Sequence, residues 1–238
     1  MANFPAPELP GGARARRTMH FFWLLDGSSS MAGEKIQALN FAVGEAIAPI
    51  RRVAESVPEV RLLVRALRFA TDVDWIVREP TPIAEFQWHD IAADGDTAMG
   101  KAVNAVVDEL DRIDVTQRFF RPVILLVTDG RNTDGKLYNS ALGRLMSHPL
   151  GRMSQRCAIA IGSDASIEEL KAFLGDDKTP VFEAGNGDML QHFIEFGSVS
   201  AIKIASEPAP HKAEAMVQDM AAEAKAGLEK VGRNSWVW

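Results

Sequence analysis

Cysteine is nearly missing from this chain: Cys157 stands alone among 238 residues. One thiol cannot form an intrachain disulfide, and a cysteine-based zinc site is not expected. No apolar run approaches the ~18 residues that a membrane-spanning helix needs. Excess positive charge is also absent. Lys and Arg number 26 against 32 Asp and Glu, a net charge of −6, so composition gives no footprint for nucleic acid. Residues 1–17 contain proline, glycine and three arginines but no apolar h-region. They do not read as a secretory signal, and a cytoplasmic location is the simplest expectation. The five histidines (His20, His89, His148, His192, His211) are scattered. None has metal-ligand spacing to another, and none is expected to be catalytic. No Gly-x-Ser-x-Gly elbow and no internal repeat occurs.

What is present is a core. Apolar residues make up 47% of the chain, enough for one sizeable domain with a tail. The run Phe21-Phe22-Trp23-Leu24-Leu25 has no polar alternation, so strand 18–25 reads as buried on both faces of a covered, parallel sheet. A helix over 33–53 follows, with apolar residues at helical spacing; Pro49 is expected to kink it or end its regular part. Residues 60–70 and 74–77 read as strands, the pair an antiparallel edge hairpin, and 79–94 as irregular. A helix from about 97 to 113 begins at Thr97, a good helix-start residue. Strand 122–128 is a second apolar run, and helix 134–146, strand 157–161, helix 166–174, strand 180–183 and helix 188–205 follow. After Pro208 and Pro210 comes an Ala/Glu/Lys-rich helix over 211–231. This alternation predicts an α/β fold: a doubly wound, mainly parallel sheet flanked by helices, with one antiparallel edge strand. The expected divisions are a flexible leader at 1–17, the α/β domain at 18–206 and a helical tail at 207–238.

Two apolar strands end in the same way. The first runs into Asp26-Gly27-Ser28-Ser29-Ser30, the second into Thr128-Asp129-Gly130. Function in such sheets sits at the carboxyl ends of the strands. Asp26, Ser28 and Ser30, with Thr97 opening a helix and Asp129, place five oxygen donors on one rim. Hard oxygen ligands suit Mg²⁺, Mn²⁺ or Ca²⁺. Hydroxyls are neutral donors, so the ion keeps residual positive charge, and a partner's Asp or Glu carboxylate can complete its coordination. Taken alone, Asp26 and Ser30 read equally as turn and helix caps. Asp94 is a weaker ligand candidate, and Asp134 reads as a helix N-cap. Cys157, Trp75 and Trp88 read as packing groups. Trp236 and Trp238 either dock back on the domain or anchor a partner.

The set Asp26-x-Ser28-x-Ser30, Thr97 and Asp129, in order and spacing, resembles the metal-ion-dependent adhesion site (MIDAS) of von Willebrand factor A (VWA) domains. The resemblance covers roughly residues 18–206. It implies a divalent cation, usually Mg²⁺, held directly by the two serines and directly or through water by the threonine and the aspartates. Thr128-Asp129-Gly130-Arg131-Asn132-Thr133-Asp134, Ala160-Ile161-Gly162-Ser163-Asp164-Ala165 and the segment from His192-Phe193 through Ser198-Val199-Ser200-Ala201 resemble the bacterial TerY-like branch, linked with tellurite resistance and stress operons. The C-terminal zinc module of some members does not carry over, because its cysteines are missing. Ser29 and Asp96 stand where glycine is common; Asp96 would strengthen cation binding and weaken attraction for an acidic partner. The function expected is a metal-dependent protein-binding or scaffold module rather than an enzyme. A metal-dependent phosphohydrolase or nuclease is the alternative. It is disfavoured because Ser28 stands where a second carboxylate would, and because the 26–31 turn has no Lys or Arg. A structural subunit with a vestigial site is a third reading, against which the complete ligand set argues.

Overall fold

The computed structural model describes residues 16–57, 59–231 and 238. Six strands form one sheet in the order β3-β2-β1-β4-β5-β6. β1 (Arg17–Asp26) lies between β2 (Val60–Phe69) and β4 (Val123–Thr128), parallel to both. β5 (Gln155–Ile161) and β6 (Val181–Ala184) extend the parallel part. β3 (Val73–Pro82) pairs antiparallel with β2 at the edge. The unbroken apolar run of β1 follows from its central place. Met19, Phe21, Trp23 and Leu25 face one helical layer, and Phe22 and Leu24 face the other. The expected doubly wound sheet with one antiparallel edge is the observed one.

The first layer holds α1 (Glu34–Ser56), α6 (Gly187–Ser206) and α7 (Pro210–Val231). α1 presents Leu39, Ala42, Val43, Ala46, Ile47 and Ile50 to the core. The second layer holds α2 (Met99–Leu110), α3 (Gly135–Ser147) and α5 (Ile167–Leu174). A one-turn helix, α4 (Pro149–Met153), has no counterpart in the sequence reading. α7 packs through Ala213 and Met220, with Met216 and Val217 partly buried beside them. Trp238 is partly buried against the first layer, its indole 3.3 Å from where a Cβ on Gly162 would sit and 3.5 Å from the one on Gly187. This tryptophan docks on the domain. Trp236 and the leader up to residue 15 lie outside the described residues.

Three local expectations are corrected. α1 does not end at Pro49 but continues to Ser56. The missing N–H frees only the carbonyl of Glu45, a residue on the exposed face where water can replace the bond. β3 is longer than residues 74–77 and includes Pro80 and Pro82. Its edge position and the register shifts opposite Val64–Leu67 let prolines sit where no ladder donor is needed. β1 begins at Arg17, whose Nη2 donates to the Phe119 carbonyl at 3.0 Å.

Candidate metal centre

The chain leaves β1, builds β2 and β3 on one side, and returns to build β4 on the other. The switch in winding therefore falls between β1 and β4. A crevice opens at the carboxyl ends of such a strand pair. Asp26 ends β1, and Asp129 follows β4.

The β1 end turns tightly. Asp26 is fully buried. One of its oxygens accepts the Ser28 amide at 2.7 Å, and the other accepts a short hydrogen bond from the Thr128 hydroxyl. Burial pushes the Asp26 carboxyl up to about 6; Asp129 adds a smaller push, against hydrogen bonds from Ser28 and Thr128. A 3-10 turn, Ser29–Met31, then orients the hydroxyls. Ser28 Oγ and Ser30 Oγ are 3.0 Å apart, and Ser30 Oγ donates to Asp129 Oδ1 at 2.6 Å. Thr97 is held by the loop after β4. Its amide donates to Thr133 Oγ1 at 3.2 Å, and its carbonyl accepts from the Thr133 amide at 2.9 Å. A Cβ placed on Gly130 would lie 3.2 Å from Thr97 Oγ1 and 3.8 Å from Ser30 Oγ. The structure thus gathers Asp26, Ser28, Ser30, Thr97 and Asp129 in one place.

Several residues of the site went unread in the sequence. Lys35, in the first turn of α1, donates from Nζ to Asp129 Oδ2 at 2.6 Å. The 26–31 turn carries no cation, as expected, but the fold supplies one from outside it. Its position nine residues after Asp26, one helical turn from the loop, is a signal that could have been used. Arg68 fastens the loops on the β2 side. It donates to the Gly27 carbonyl at 2.9 Å, the Ala92 carbonyl at 2.8 Å and Asp74 at 3.0 Å, and pairs closely with Asp94. Asp94 is therefore occupied by Arg68 and is not turned to the site. A Cβ on Gly27 would fall 2.3 Å from Arg68 Nε, which is why glycine follows Asp26. Asp96 is exposed; its amide donates to Thr71 Oγ1 at 3.0 Å and its carboxylate lies 3.5 Å from that hydroxyl.

Two capping expectations are corrected. Thr97 does not cap α2, whose N-cap position is Ala98 with no side-chain bond. Asp134 occupies the N-cap position of α3 but makes no cap bond there. Its carboxylate crosses to α2 and accepts the Gly100 and Lys101 amides at 2.9 and 3.0 Å. A carboxylate is favoured on those free N–H groups whichever element supplies it.

The donor set fits a hard divalent cation. Three hydroxyls and two carboxylates converge, all oxygen. Asp26 and Asp129 are both buried. Against two buried carboxylates the protein sets one ammonium, that of Lys35, and Asp26 has no ion pair among the described residues. Buried charge calls for a counter-charge. Among the described residues no group of three or more His, Cys, Asp or Glu is placed to hold a metal, so a site here depends on the hydroxyls. Neither a histidine nor a thiol lies in the cluster as an acid–base or nucleophilic group. Cys157 is fully buried in β5, its thiol pushed up to about 12 by burial.

No protein-family model matches the chain, and no curated protein matches it. Solved structures do. A von Willebrand factor type A protein from Catenulispora acidiphila aligns at 14% identity and TM-score 0.56, over 79% of this chain and 43% of its own. The ArnB paralog VWA2 from Sulfolobus acidocaldarius aligns at 16% identity and TM-score 0.55, over 78% and 45%. Proximal thread matrix protein 1 from the mussel byssus, in a structure with a zinc-occupied MIDAS motif, aligns at 18% identity and TM-score 0.55, over 79% and 46%. At these identities the likeness is one of fold: the chain has the α/β architecture of VWA domains. It spans less than half the length of each of these three proteins.

Proposed function

We propose that the chain is a metal-dependent protein-binding module. Asp26, Ser28, Ser30, Thr97 and Asp129 hold a divalent cation, Mg²⁺ in preference to Mn²⁺ or Ca²⁺, and an Asp or Glu of a partner protein completes its coordination. The observation that carries this reading is the convergence of three hydroxyls on two buried carboxylates at the β1–β4 switch point. The ion supplies the positive charge that two carboxylates and one ammonium leave wanting, and neutral hydroxyl ligands leave part of that charge for an external anion. Thr128 orients the Asp26 carboxylate, Lys35 competes with the ion for Asp129, and Arg68 holds the loop that carries Gly27. Residues 18–206 form the binding module and 207–238 an accessory helical tail. We place the module in a bacterial stress or tellurite-resistance-type system, on the strength of the sequence resemblance alone, and assign it no catalytic activity. The test is a pull-down of partners with the wild type and the Asp26→Ala and Ser28→Ala variants, with Mg²⁺ and with EDTA. Partner capture lost in EDTA and in both folded variants supports the reading. Capture that survives EDTA sinks it.

A further inference from the structure

We propose that the opposite end of the sheet carries a second site, for a phosphate-type dianion. The amino ends of β1 and β2, the segment after α2 and the loop at 114–119 enclose a cavity of about 210 Å³. Its walls include Arg61, Arg65, Arg112, Arg118 and His20. In a chain of net charge −6 this is a local excess of the other sign.

The wall itself carries four guanidinium groups against one carboxylate, Asp114. Arg65 is 4% exposed. It donates Nε to the Arg78 carbonyl at 3.0 Å and Nη1 to His20 Nδ1 at 2.8 Å, both neutral acceptors. Its nearest ion-pair partner is Glu109, at 4.0 Å. That same carboxylate serves Arg78 at 3.1 Å and Arg112 at 3.3 Å. Glu109 is thus shared among three guanidinium groups, and the exposed Glu79 is a further negative charge acting on Arg65. Arg61 and Arg118 have no side-chain hydrogen bond or ion pair among the described residues. Asp114 offsets one of these charges, and its oxygens are held by the Thr116 amide and hydroxyl and by Gln117 Nε2 rather than by a guanidinium group.

A bound dianion would answer this imbalance. Guanidinium groups pair with phosphate oxygens through paired N–H donors. Because His20 Nδ1 accepts from Arg65, its ring proton sits on Nε2, which adds a neutral donor on a cavity-lining residue. Burial holds both His20 and Arg65 below their ordinary values; the Arg65 charge lowers His20 further, whereas Glu109 and Glu79 act the other way on Arg65. The volume lies below the ~300 Å³ at which drug-sized pockets begin, so the ligand is inorganic phosphate, pyrophosphate or the phosphate end of a monoester.

The site is separate from the metal centre and does not depend on it. The test is calorimetric titration of the full chain with inorganic phosphate, pyrophosphate and glycerol 2-phosphate, with the His20 ring resonances followed in parallel. We expect saturable one-to-one binding of at least one of the three, with a shift at His20. It should be unchanged by EDTA or by Asp26→Ala, and weakened at least tenfold in Arg61→Ala or Arg118→Ala. Both arginines are exposed, so both variants should keep the wild-type thermal midpoint. Tight binding of the ester alone would identify a phosphomonoester. No saturable binding, binding unaffected in both arginine variants, or binding abolished by EDTA would overturn the proposal.

Discussion

His20 makes stability fall with acid, by an amount the structure lets us work out. The side chain is 8% exposed, is stacked at 6.5 Å on Phe22, and accepts a hydrogen bond from Arg65. Burial first, and the Arg65 charge second, lower its pKa from 6.5 to about 4. Above pH 6.5 the imidazole is neutral in both folded and unfolded chains and contributes nothing to pH dependence. Between 6.5 and about 4 the unfolded chain takes up the proton and the folded one does not, so stability declines as pH falls. At pH 5 the loss is about 2 kcal/mol, and it approaches about 3 kcal/mol below pH 4. Asp26 acts in the opposite sense. Its folded value is raised from 3.8 to about 6, so its contribution is present below 3.8 and is lost as pH rises through 6. Going from pH 7.5 to 5 it returns about 1.4 kcal/mol, which masks most of the His20 loss in EDTA. The clean measurement is a difference. Urea unfolding of the wild type and of His20→Gln, which keeps an acceptor for Arg65, is followed from pH 7.5 to 4.5. The wild type should lose about 2 kcal/mol relative to the variant by pH 5. Parallel profiles would refute the reasoning.

Other perturbations follow from the same geometry. Mg²⁺ at a hundred times its dissociation constant should stabilise the fold by about 2.7 kcal/mol, a rise of about 5–10 °C in melting temperature for a chain of this size. Asp26→Ala and Asp129→Ala should abolish that rise, and a wild-type midpoint indifferent to Mg²⁺, Mn²⁺ and Ca²⁺ would remove the metal site. Lys35 shares Asp129 with any bound ion, so Lys35→Met should tighten Mg²⁺ binding about tenfold by calorimetry; weaker binding would mean that Lys35 instead holds Asp129 in its ligating pose. A Cβ on Gly100 would come within 2.5 Å of the Tyr138 amide nitrogen and 2.8 Å of Leu137 carbonyl carbon. Gly100→Ala must therefore part α2 from α3, at about 2 kcal/mol or more in chemical unfolding, and a wild-type unfolding midpoint would show that the helices have room. Asp96→Gly should weaken Mg²⁺ binding and improve capture of acidic partners; no change in either would show that the exposed Asp96 charge is screened.

Much of the site was readable without coordinates because its residues end or begin elements whose own signals are strong. β1 and β4 are apolar throughout since both sheet faces are covered, and the residues that stop those runs, Asp26 and Asp129, fall at the ligand-bearing end of a doubly wound sheet. The hydroxyls at 28, 30 and 97 stand close to those ends in sequence. What could not be read were partners fixed by packing across elements. Asp134 looks like the cap of its own helix, and only the close approach of α2 and α3 at Gly100 sends its carboxylate to the neighbour. Pro49 and the prolines of β3 look like breakers, and are tolerated because the carbonyl that Pro49 frees belongs to the exposed Glu45 and the others lie on a sheet edge.

The sequence by itself determined the sheet, its layers and the five oxygen-bearing side chains that meet at the β1–β4 rim, because hydrophobic pattern and strand ends are local properties. Tertiary structure alone decided the charge around those donors. Lys35 is brought onto Asp129, Arg68 onto the Gly27 loop and Thr128 onto Asp26, and each contact joins residues 41 to 102 positions apart in the chain, distances over which a linear pattern carries no record of which side chains meet.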